Sequence, residues 1–181
     1  MPFDDLASVE WAHTAISTLS DRGIVSGKSN NKYCPNDYIT REELVKIIVS
    51  ATKTELNASG SNFADVTEDA WFAKYVNAAY SNGLCKGIGN GNFGVGINIT
   101  RQDAATMLYN ALVNENAELA KQLDKSFVDS SEISNYAIEA VQKLSEAGIV
   151  NGDSNQNFNP KSLLTRAEAA QLVYGCLKYF E

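Results

Sequence analysis

The chain has 181 residues, 44% hydrophobic content and a formal net charge of −7. That length suits one compact domain or a set of small repeats, and the acidic balance argues against a nucleic-acid partner, which requires a basic patch. No apolar run nears the eighteen or so residues needed to cross a bilayer, so no membrane insertion is expected, and the opening Met1-Pro2-Phe3-Asp4-Asp5 lacks the features of a signal peptide, as in an excised fragment or a mature form given a start methionine.

In chain order, Phe3 and Asp5 precede a first predicted helix whose apolar stripe is Trp11, Ala12, Ala15, Ile16 and Leu19. Gly23 followed by Ile24 reads as a left-handed helix stop. A loop from Gly27 through Tyr33-Cys34-Pro35 leads to Thr40-Arg41-Glu42-Glu43, a capping-box sequence that starts a second helix. Its stripe is Leu44, Ile47, Ile48 and Ala51. A polar stretch near 53–62, with Asn57-Ala58-Ser59-Gly60-Ser61, reads as a flexible linker.

The same order then recurs twice. Phe63, Asp65, Trp71, Gly83, Gly87, Phe93 and Thr100-Arg101 form the second copy, offset by 60 residues throughout. Phe127, Asp129, Tyr136, Gly148, Gly152, Phe158 and Thr165-Arg166 form the third, offset by 64 at its start and by 65 from its first helix onward. One residue has therefore entered after Asp129. The linker near 114–126 is rich in Glu, Ala, Leu and Lys and is expected to extend the preceding helix. The repeats are placed at 1–60, 61–124 and 125–181. A two-helix unit of this size is too small to bury both its stripes alone. Three units could pool them around a pseudo-threefold axis or stack as an open solenoid, in either case as a mainly all-α protein.

The capping threonines and acids are explained as caps. The arginine between them is not, because a cation at the first helical position opposes the helix dipole by about 0.3–1 kcal/mol. Its presence in all three copies, as Arg41, Arg101 and Arg166, points to a use. One use is a carboxylate or phosphate site built from the guanidinium and free helix amides. The other is an inter-repeat salt bridge, with Asp5, Asp65 and Asp129 as partners. Gly27, Gly87 and Gly152 read as turn glycines with positive φ, or as places where a sugar approaches the backbone. Trp11, Trp71 and Tyr136 read as core, or as platforms for a sugar ring.

No cofactor or metal is expected. The asparagine-rich loops after Gly27, Gly87 and Gly152 lack the carboxylates of a calcium site. Cys34, Cys85 and Cys176 form no zinc pattern and read as small apolar fillers, with a reactive thiol as the alternative. The single histidine, His13, is replaced by Ala73 and Ile138 in the other copies, and no acid–base pair converges, so the chain does not read as an enzyme.

Phe-x-Asp, an aromatic at the first helix, Gly-Ile-x-x-Gly, an aromatic-x-Pro loop and Thr-Arg-Ala-Glu resemble, in this order and three times over, the S-layer homology domains of bacterial surface proteins. Here they read Phe3-Asp4-Asp5, Trp11, Gly23-Ile24-Val25-Ser26-Gly27, Tyr33-Cys34-Pro35 and Thr40-Arg41-Glu42-Glu43, with Gly148 to Gly152, Phe158-Asn159-Pro160 and Thr165-Arg166-Ala167-Glu168 in the third copy. The resemblance implies a three-pronged spindle with a central helical bundle, located outside the cell at the wall. It also implies grooves between repeats that bind an anionic, pyruvylated cell-wall polysaccharide, with Arg41, Arg101 and Arg166 as the main contacts and the glycines and aromatics shaping the grooves. Direct peptidoglycan binding, or a scaffold for other S-layer proteins, is the alternative. The second copy departs most, with Val95 for the loop proline and Asp103 for the glutamate, so its groove carries the weakest expectation.

Overall fold

The computed structural model describes residues 3–29, 31–56, 60, 62–120 and 126–180. Met1, Pro2, Asn30, residues 57–59, Ser61, residues 121–125 and Glu181 lie outside it, and with them most of the linker expected at 57–61. The described residues form six α-helices: α1 (His13–Asp21), α2 (Arg41–Ala51), α3 (Ala73–Ser81), α4 (Arg101–Asn114), α5 (Ile138–Glu146) and α6 (Arg166–Cys176). Short 3-10 segments and isolated β-bridges complete the structure, with no strand among the described residues. No helix there is long and apolar enough to cross a membrane.

Local sequence fixes the ends of these helices. Gly23, Gly83 and Gly148 have φ of +70°, +71° and +71°. The amides of Ile24, Leu84 and Ile149 reach back to the carbonyls of Leu19, Ala79 and Leu144 at 2.8, 2.8 and 2.9 Å. This is the glycine stop expected after each first helix. Thr40 and Thr165 cap α2 and α6 reciprocally with Glu43 and Glu168. At α4 the box is incomplete. Asp103 is one methylene short of the N-cap amide, and its Oδ2 instead accepts from Thr100 Oγ1 at 2.8 Å. Nor does the second linker continue α4. That helix stops at Asn114, where Asn116 adopts φ +54° and the Ala117 amide returns to the Leu112 carbonyl at 2.9 Å. An asparagine in the left-handed region ends a helix as glycine does.

Packing runs between repeats. The first helix of each repeat lies on the second helix of the repeat before it: α3 on α2, α5 on α4, and α1 on α6. The even-numbered helices meet one another at the centre. The α1–α6 pair closes the ring and excludes the open solenoid. Closure extends to the backbone, where the Ile39 amide donates to Leu164, that of Leu164 to Ile99 and that of Ile99 to Ile39, each at 3.0 Å.

The second-helix stripes are all buried. In the first helices, Phe72 and Tyr75 are only partly buried. The deepest side chains include Tyr33, Phe93 and Phe158, one per repeat. They pack on Phe3, Phe63 and Phe127 at ring distances of 5.3, 5.6 and 5.4 Å. Burying each such aromatic stabilises by roughly 1.5–3 kcal/mol, which ties the Phe-x-Asp start of each repeat to its loop.

Candidate functional site

Each repeated arginine reaches across to the next repeat around the ring. Arg41 Nε donates to the Phe93 carbonyl at 3.0 Å, Arg101 Nε to Phe158 at 2.9 Å and Arg166 Nε to Tyr33 at 2.9 Å. The Nη2 atoms donate to the carbonyls of Lys86, Asn151 and Ser26 at 3.0, 3.3 and 2.9 Å. Each guanidinium also lies over the ring of that loop aromatic, at 5.1, 5.3 and 4.6 Å from its centroid. Arg41 and Arg166 are 6% exposed, and the Arg101 side chain 17%. The arginine therefore ties two repeats together and leaves one nitrogen, Nη1, for a further partner.

The aspartates do not supply that partner. Asp5 accepts from the amides of Tyr33 and Cys34, Asp65 from Phe93, Gly94 and Val95, and Asp129 from Phe158 and Asn159, all within their own repeats. Partial burial pushes the Asp5 and Asp65 carboxyls up, but these amide bonds outweigh it and hold both below their ordinary pKa. The inter-repeat ion pairs instead use the capping glutamates. Arg101 Nη1 lies 3.3 Å from Glu168, and Arg166 Nη1 lies 3.8 Å from Glu43. The capping sequence alone could not show this second role, because the arginine that meets each glutamate belongs to another repeat.

Most of the free helix amides expected beside the arginines are taken. The amides of Arg41, Arg101 and Arg166 donate to the carbonyls of Ile97, Ser162 and Asp37 at 3.0, 2.9 and 2.9 Å. Those of Gln102 and Ala167 donate to Pro160 and Pro35 at 3.1 and 3.0 Å. Where Val95 replaces the proline, the Gly96 amide donates to the Glu42 carboxylate at 3.1 Å. At α4 and α6 an anion would therefore meet the guanidinium and not the helix terminus.

Gly27, Gly87 and Gly152 do not have positive φ, contrary to the turn reading. Their own chain leaves no room for a side chain at Gly27 and Gly87 and little at Gly152. A Cβ at Gly27 would lie 2.6 Å from the Lys32 carbonyl oxygen and 2.8 Å from the Phe3 ring, and Gly87 and Gly152 crowd the matching atoms of their repeats. The aromatics, in contrast, are not core. Trp11, Trp71 and Tyr136 are 56%, 58% and 58% exposed, two residues ahead of the helices they were expected to open.

Two grooves bring these groups together. One, of about 380 Å³, is lined by Arg101, Trp11, Gly152, Asp153, Glu168 and Gln171, among others. Another, of about 700 Å³, has Arg41, Lys86, Gly87, Asp103, Asn110 and Tyr136 in its wall. Most of their lining positions correspond under the repeat. In the larger groove Tyr136 is held by its hydroxyl, which donates to Asp103 and accepts from Gln102 Nε2 at 2.7 Å. Burial of that hydroxyl and the neighbouring Asp103 push its pKa up to about 12, while the ring face stays open.

In the third position round the ring, Lys46 stands where the other two repeats have Thr106 and Gln171. Its Nζ donates to the Ile24 carbonyl at 2.8 Å, and burial, aided by Arg166, lowers its pKa. Trp71 lies edge-on against Phe72, 5.3 Å between ring centroids.

The remaining candidates are structural. Cys85 and Cys176 are buried, and burial pushes both thiols up to about 12, so they act as fillers, whereas Cys34 is half-buried in its loop. His13 Nε2 lies 2.8 Å from the Leu6 carbonyl. Among the described residues no group of His, Cys, Asp and Glu could hold a metal ion.

The S-layer homology domain model matches residues 2–45, 62–105 and 126–170, once per repeat. The chain belongs to the S-layer homology domain family. The exoglucanase XynX of Acetivibrio thermocellus is 32% identical over 97% of this chain, and so is the amylopullulanase of Thermoanaerobacterium thermosulfurigenes. The surface-layer 125 kDa protein of Lysinibacillus sphaericus is 31% identical over 88% of it. The shared region is 16%, 9% and 13% of those proteins. What each of these proteins shares with this chain is thus the S-layer homology triplet. The triplet is an anchoring module of the cell surface, and its place is outside the cell, at the wall.

Proposed function

We propose that the triplet holds its parent protein noncovalently to the envelope by binding an anionic secondary cell-wall polysaccharide, with a pyruvate ketal as the acidic group, in the grooves between repeats. The observation that carries this reading is the pairing, in each of two grooves, of a guanidinium on the floor with an exposed aromatic ring: Arg101 with Trp11, and Arg41 with Tyr136. A ketal carboxylate satisfies the remaining guanidinium nitrogen with a charge-assisted hydrogen bond. The apolar face of the same sugar stacks on the ring. Because Nε and Nη2 are already held by backbone carbonyls, the cation is oriented before the ligand arrives, which limits the entropy lost on binding. The grooves fall in the size range of ordinary small-ligand sites, roughly 300–1,000 Å³.

Isothermal titration of the full 181-residue chain with purified wall polymer tests this reading. Heat is expected with the pyruvylated polymer and none after the ketal is removed by mild acid. Trp11→Ala, at an exposed site, should weaken binding in the Arg101 groove about tenfold, equal to about 1.4 kcal/mol. Equal heat with bare peptidoglycan, or retention on walls stripped of polysaccharide, would assign the grooves to another ligand.

A further inference from the structure

The grooves are alike in design but not in charge. Arg101 Nη1 faces Glu168 at 3.3 Å and Arg166 Nη1 faces Glu43 at 3.8 Å. The matching acid for Arg41 is Asp103, which is one methylene shorter. Its two oxygens are held by the Thr100 and Tyr136 hydroxyls. Among the described residues Arg41 has no ion pair, and its Nη1 has no protein acceptor, although its Nε and Nη2 are fixed by the Phe93 and Lys86 carbonyls. This groove is also the larger of the two described, about 700 against 380 Å³. At the third position the Lys46 ammonium spans to the Ile24 carbonyl, where the others carry shorter neutral side chains.

Resting on the anionic-glycan reading, we infer that Asp103 is the residue that ranks the grooves, and that the one over Arg41 is this chain's principal anion-binding groove. A cation already facing a carboxylate must exchange that partner for the ligand, so its net gain is small. A guanidinium held in place without one gains the whole interaction. The shortened acid leaves Arg41 uncompensated, and the Tyr136 hydroxyl engages the Asp103 carboxylate in its place. The departures that mark the second repeat in sequence thus favour anion binding there.

Exchanging the acids tests the assignment. Asp103→Glu gives the second repeat the residue the other two carry, so the fold accommodates it, and it brings a carboxylate within reach of Arg41. In titrations of the full chain with a pyruvylated monosaccharide methyl glycoside, Asp103→Glu should raise the tightest Kd about tenfold. Glu168→Asp, which withdraws the carboxylate from Arg101, should lower the Kd of the weaker phase several-fold. The effect should disappear with the methyl ester of the same sugar, which has no charge, whereas a purely structural role would weaken both ligands alike. Parent-like binding of the charged sugar by Asp103→Glu overturns the ranking but leaves the glycan reading standing. Absence of binding of that sugar by the parent chain removes both.

Discussion

At Gly27 the Cβ of an alanine would meet backbone and an aromatic ring at under 3 Å, and at Gly87 it would meet the Asn92 carbonyl and the Phe63 ring just as closely. At Gly152 the nearest atoms stand at 3.1 to 3.2 Å. Overpacking against fixed backbone costs about 1–3 kcal/mol. Gly27→Ala and Gly87→Ala should therefore lower the urea midpoint clearly and Gly152→Ala less. Parent-like midpoints for all three variants would mean that the loops yield. Sequence singled out these positions but not the reason for glycine there, because a glycine needed for space and one needed for positive φ look the same in a sequence. The aromatics show the opposite limit. Trp11, Trp71 and Tyr136 could be assigned to core or surface only once their neighbours were in place.

The interhelical loop is organised by one acid per repeat. Asp65 gathers three successive amides at 2.7, 2.7 and 3.0 Å, and Asp5 gathers two. Both carboxyls are held below their ordinary pKa of 3.8. Their contribution to stability is fully present above that value and is lost as pH falls through the lower folded-state pKa. Urea midpoints should be flat from neutral pH down to about 4 on this account and drop below it. Asp5→Asn with Asp65→Asn should flatten that drop while lowering the midpoint at neutral pH, and an unchanged acid slope would show that other carboxylates dominate. Helix ends and stops were legible in sequence, because capping and the Schellman turn depend on residues only a few positions apart. The end of α4 at Asn114 was not, because helix propensity in 115–125 was outweighed by the turn at Asn116.

The closed ring concerns the molecule as a whole. Arg166 reaches Tyr33 and Ser26, bridging residues 133 and 140 positions apart, and so fastens the last repeat to the first. Replacing it with glutamine leaves two carbonyls unpaired in a buried site and should cost roughly 2–4 kcal/mol in unfolding free energy. Arg41→Gln should match it, and Arg101→Gln, at a more exposed side chain, should cost less. Urea midpoints equal to the parent's in all three variants would show that the arginines do not fasten the repeats. The same burial means that binding losses in Arg41 or Arg166 variants must be read alongside stability, whereas Trp11→Ala and Asp103→Glu leave the fasteners intact.

Sequence by itself determined the three repeats, the six helices, the glycine stops, the threonine caps and the single repeated cation with no local explanation. All of these follow from periodicity and from interactions within a few residues of one another. Only the tertiary structure decided that each first helix packs on the preceding repeat, that most of the leading helix amides are already occupied and that the aspartates serve their own loops. It alone decided that a capping glutamate faces the guanidinium of another repeat. Those contacts join residues tens of positions apart, and three similar units could have been stacked in a line or closed into a ring. Burial of the α1 and α6 stripes against each other is the physical reason that this chain closes.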